Sequence, residues 1–66
     1  MTTDALLNAL SAETTAIGAF SALLGEEQQA LVSGTLDALP ALTERKTRAV
    51  AELSALGRER DAQLQA

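Results

Sequence analysis

The chain has 66 residues and a formal net charge of −4, and it contains no cysteine, histidine, tryptophan or tyrosine. A length like this makes one small domain. Without thiols or imidazoles it has no disulfide staple, no Ser–His–Asp triad and no thiolate or histidine metal site. Paired carboxylates remain, but glycosidase-type chemistry needs them across a cleft that so small a chain hardly has. No catalytic, cofactor-binding or metal-binding residue is expected.

The first element in chain order is a helix over about residues 3–32. Thr2 or Thr3 can cap its N-terminus, and Asp4 lies where the positive end of the helix dipole favours an acid. No basic n-region or continuous apolar run opens the chain, so this segment reads as neither a signal peptide nor a transmembrane span. Leu10, Ile17, Leu24 and Leu31 recur every seven residues, and Leu6, Glu13, Phe20 and Glu27 take the flanking position. That spacing predicts a coiled-coil-like seam with acids at two of its positions. The rod would be roughly 43 Å long at 1.5 Å per residue. Its opposite side, Asn8, Ser11, Ala12, Thr15, Gly18, Ala19, Ala22 and Gly25, is small and uncharged. Ser11, Thr15, Gly18, Ala22 and Gly25 are the candidate partner-binding face, because small residues let another helix come close.

A turn follows over residues 33–37. Gly34 suits the left-handed cap that ends many helices. The second helix is expected over about 37–64, with Asp37 rather than Thr35 as its N-cap. Pro40 then falls in the first turn, where its missing N–H would have had no partner. Its stripe is Leu39, Leu42, Lys46, Val50, Leu53, Leu56, Arg60 and Leu64.

So short a turn forces antiparallel neighbours, and the predicted fold is an all-α, two-helix hairpin in a single domain, residues 1–66. Folding about residue 35 sets Leu6 against Leu64, Ile17 against Leu53 and Phe20 against Val50. It also brings Glu27 within a turn of Lys46 and Glu13 within a turn of Arg60. These four residues are read as fixing the register, since a slipped pairing would bury a charge against an apolar side chain. Ordinary flanking ion pairs would contribute under about 1 kcal/mol.

Up to Ser33 every charged side chain is acidic (Asp4, Glu13, Glu26, Glu27), whereas from Gly34 five acids balance five bases. Such a chain repels phosphate backbones, so nucleic acid is excluded as a partner. A first helix without Lys or Arg is also a poor match for anionic lipid. Leu7, Leu23, Leu36 and Val50 extend past a two-stranded seam, so a homo-oligomer is expected, a dimer completing a four-helix bundle.

Three stretches carry a family resemblance: "FSALLGEEQQAL" (20–31), "LPALTERK" (39–46) and "LSALGRERDAQL" (53–64). Their pattern is L-L-x-x-E-x-x-x-L, a short break, then L-x-x-L-x-x-x-K and L-x-x-L-x-x-x-R. It resembles the FlgN-like flagellar export chaperones over about residues 6–64. The resemblance implies a cytoplasmic chaperone that keeps hook-associated, hook–filament junction proteins soluble and delivers them to the flagellar type III export apparatus. Members of that family continue further and bind partners mainly through a C-terminal region. The uncapped ending "RDAQLQA" accordingly reads as a truncation, and a missing C-terminal helix is a second way to complete the bundle. The alternative class is a self-associating coiled-coil hairpin without a client. A secreted WXG-type hairpin fits less well, because the turn reads "SGT" and holds no tryptophan.

Overall fold

The computed structural model describes residues 3–65. They form helix α1 (Thr3–Ser33), a 3-10 turn (Leu36–Ala38) and helix α2 (Leu39–Gln65), with no strand among the described residues. The two helices lie antiparallel in a flat rod of 49 × 14 × 11 Å. Thr3 is the first helical residue and Asp4 sits in the first turn. The capping role considered for Thr2 lies outside the described residues.

Helix α1 ends as its glycine suggests. Gly34 has φ 76°, and the Thr35 N–H donates to the Ala30 carbonyl at 2.9 Å. That six-to-one bond satisfies a carbonyl the helix itself leaves open. The Ser33 hydroxyl adds a 2.9 Å hydrogen bond to the Thr35 hydroxyl. A Cβ at position 34 would meet no neighbour within 4 Å, so the conformation alone opposes substitution there. Gly34→Ala is therefore expected to cost about 1 kcal/mol, a fall of roughly 4–8 °C in Tm. A thermal melt with an unchanged midpoint would contradict the cap.

Entry into α2 differs from the expectation. Asp37 lies inside the 3-10 turn rather than ahead of the helix, and Thr35 holds the N-cap position of that turn without a side-chain cap bond. The tighter bonds, Ala38 N–H to the Thr35 carbonyl and Leu39 N–H to the Leu36 carbonyl, carry the chain into α2. Pro40 then becomes the second residue of the α-helix, where no hydrogen bond is asked of it. The turn thus extends to Ala38, and the fold's midpoint moves towards the C-terminus.

That shift resets the pairing. Glu27 meets Lys46 and Glu13 meets Arg60, so facing residues have numbers adding to 73, not 70. Phe20 is level with Leu53 instead of Val50.

The seam also turns by one residue on α1. Its buried positions are Ala9, Leu23 and Ala30, with Leu6, Glu13, Ala16, Phe20 and Glu27 half-buried beside them. Leu10, Ile17, Leu24 and Leu31, expected at the centre, are 40–57% exposed. On α2 the seam runs through Leu39, Leu42, Lys46, Ala49, Leu53, Leu56, Arg60 and Gln63, while Val50 and Leu64 face outward. The physical reason is size matching. The bulk comes from the leucines of α2, and the alanines of α1 give them room. Leu23, Ala30 and Leu42 make the tightest cluster, with Ala38, Leu39 and Ala49 packed against it. Leu23 therefore belongs to the seam and not to an outer association surface.

Candidate functional site

Two ion pairs sit within the apolar seam. The Lys46 Nζ donates to Glu27 Oε2 at 2.8 Å, and the Arg60 Nη1 donates to both Glu13 oxygens at 2.8 and 2.9 Å. The Glu13 side chain is only 14% exposed, the most enclosed of the four. A Cβ on Gly57 would touch Glu13 Oε2 at 3.8 Å, so the glycine leaves space beside this carboxylate. Burial at this level makes the loss of one partner more costly than the pair is stabilising. A third pair, Glu26 with Arg45 at 3.3 Å, has both side chains about half exposed and contributes little. Among the described residues no buried side-chain nitrogen or oxygen lacks a partner.

The seam divides the outside of the rod into two broad faces of opposite character. One carries Thr15 and Ala22, with Ser11, Gly18 and Gly25 at its edge on the back of α1, all exposed. Cβ atoms built on Gly18 and Gly25 would meet nothing within 4 Å, so the backbone of α1 is open to close approach there. Towards the turn this side runs into an open groove of about 430 Å³, floored by Ala30 and Leu42 and walled by Glu26, Gln29, Ala41 and Arg45. Sequence reasoning missed the groove. The available signal was Glu26 and Arg45, an opposite-charge pair one residue before Glu27 and Lys46, which places both on the same flank of the seam.

The other broad face carries the displaced heptads. Leu10, Ile17, Leu24 and Leu31 of α1 lie on it with Val50 and Leu64 of α2, all exposed. By helical spacing Thr14, Ser21 and Gln28 rim it on α1, and Thr47 and Ser54 on α2. None of these is charged. Asp61 is the ionisable side chain that falls on this side among the described residues, and it contacts Arg60 at 3.5 Å.

These features define a class. The rod has no metal-binding cluster of His, Cys, Asp or Glu and no helix long and apolar enough to cross a membrane, among the described residues. What it offers is helical surface, and the fold is that of an antiparallel helical hairpin. A family model described as FlgN protein matches residues 1–66, and the chain belongs to the FlgN family. That family consists of flagellar export chaperones, not enzymes. No curated protein and no solved structure matches the chain.

Proposed function

We propose that this hairpin is a cytoplasmic chaperone for the hook-associated proteins of the hook–filament junction, holding them soluble and export-competent for the flagellar type III apparatus. The observation that carries this reading is the family match along residues 1–66. Such clients have termini that are disordered until they assemble, and an amphipathic segment can be shielded by lying against a helical surface. The small-residue face of α1 and the groove beside it suit a client helix, because Gly18, Ala22 and Gly25 let two backbones come close. Glu13, Glu27, Lys46 and Arg60 hold the two helices in the register on which that surface depends. The hairpin works as a homo-oligomer, since the four largely buried side chains among the described residues, none of them fully enclosed, make a thin core for a free-standing rod.

Titration of labelled C-terminal peptides from hook-associated proteins tests the client face. Gly18→Leu points away from the seam and raises helix propensity, so it leaves the hairpin folded while obstructing the face. Binding to the original chain that weakens by about tenfold in Gly18→Leu, a loss of 1.4 kcal/mol, is the expected result. Equal affinities would reduce the small-residue face to solvated surface.

A further inference from the structure

The second broad face is largely apolar and uncovered, and Asp61 is the ionisable side chain on it among the described residues. We infer that it is the self-association surface, occupied by a second copy whose α1 lies antiparallel on this copy's α2. The inference rests on reading the hairpin as a homo-oligomer and names the surface and the pairing.

Area supports a stable pair. A face 49 Å long and 14 Å wide offers roughly 700 Å² per copy, and two such faces bury about 1,400 Å², within the range of specific interfaces. Charge permits a second copy here. A chain of net charge −4 repels itself through most of its surface, and this face carries almost none of that charge. Large apolar surfaces of this kind mark interaction sites in proteins that stay in solution.

The ion pairs fix the heights on the two helices, and a two-fold axis along the rod preserves them. It brings Leu10 to Leu64 of the second copy and Leu24 to its Val50. Ile17 comes level with Gly57 and Leu31 with Thr43, so each larger side chain meets a small one or an apolar one. A two-fold axis across the rod would instead stack the Leu10–Leu31 lines on each other, large against large at every level and not at two of the four. The first arrangement packs better, by the same matching of size that built the seam.

The chain has no cysteine, so introduced thiols report unambiguously. Leu24→Cys and Val50→Cys chains are mixed and oxidised without any client present. The mixed disulfide should exceed the Leu24→Cys self-linked product by about tenfold, because only the mixed pair sits within bonding distance. In parallel, sedimentation of the unaltered chain should give twice the 6.8 kDa chain mass, and Leu24→Glu should shift it towards the single-chain value. If Leu24→Glu loses its helix by circular dichroism, the cross-linking still decides. A fully helical monomer, or a predominance of Leu24→Cys self-links, would overturn the proposal. So would protection of this face from solvent only after a flagellar peptide is added, which would give the face to the client. No client enters the cross-linking or the sedimentation, so their failure leaves the chaperone reading to its own titration.

Discussion

Leu42→Ala is expected to destabilise the hairpin far more than a truncation on its exposed surface. Leu42 and Leu23 are the two large side chains buried in the seam among the described residues, and they lie in one cluster with Ala30. Removing three side-chain carbons there costs about 2–3 kcal/mol, the lower part of the core-leucine range, because neither residue is fully enclosed. A chain of this size has stability on the order of 3–10 kcal/mol, so the loss is a large fraction of the total. Glu44→Ala, on the exposed back of α2, should stay within about 0.5 kcal/mol. Urea midpoints measured at one protein concentration compare the two. Equal shifts would mean that the seam is not where the structure places it.

The second large effect is electrostatic. Lys46→Glu sets two carboxylates together where Lys46 and Glu27 now meet at 2.8 Å. The expected loss is on the order of 1–3 kcal/mol, because both side chains are mostly enclosed and like charges are felt there. Adding Glu27→Lys restores the opposite charges in reversed order and should recover part of the loss. A double variant no more stable than the sum of the two singles would show that the pair is uncoupled, and the register role would fall with it.

The turn was legible from composition, because a glycine followed by breakers has few ways to fold. Gly34 in the left-handed region is one of them. The opposed charges were legible for a different reason. Glu13 and Glu27 are fourteen residues apart, and so are Lys46 and Arg60, so any antiparallel pairing that satisfies one pair brings the other together. The start of α2 was harder. A 3-10 turn and an α-helical first turn put similar demands on Thr35, Asp37 and Pro40, and the choice moved the register by three residues.

What the pattern concealed was which flank of the Glu13–Glu27 line faces α2. Hydrophobicity favours the flank of Leu10, Ile17, Leu24 and Leu31, whereas the other holds Ala9, Ala16, Leu23 and Ala30. Apolar periodicity weighs each helix alone. Packing weighs the pair, and the leucines of α2 fit against the alanines. The richer stripe was left for the outside, so the strongest apolar signal in the chain marks a surface and not the core. The small-residue face was visible as an absence of charge on the back of α1. The groove at its end depends on both helices and on the turn, and no single stretch of sequence contains it.

Amide hydrogen exchange, with and without a hook-associated C-terminal peptide, tests most directly whether the two broad faces have separate roles. In the free protein the segments carrying Leu10, Ile17, Leu24 and Val50 should already be slowed, and the slowing should weaken on dilution. Adding peptide should protect Gly18–Gly25 and the groove around Gln29 and Arg45 further, with little change at Val50. Protection by the peptide centred on Val50 and Leu64, with none gained by the groove, would contradict the division.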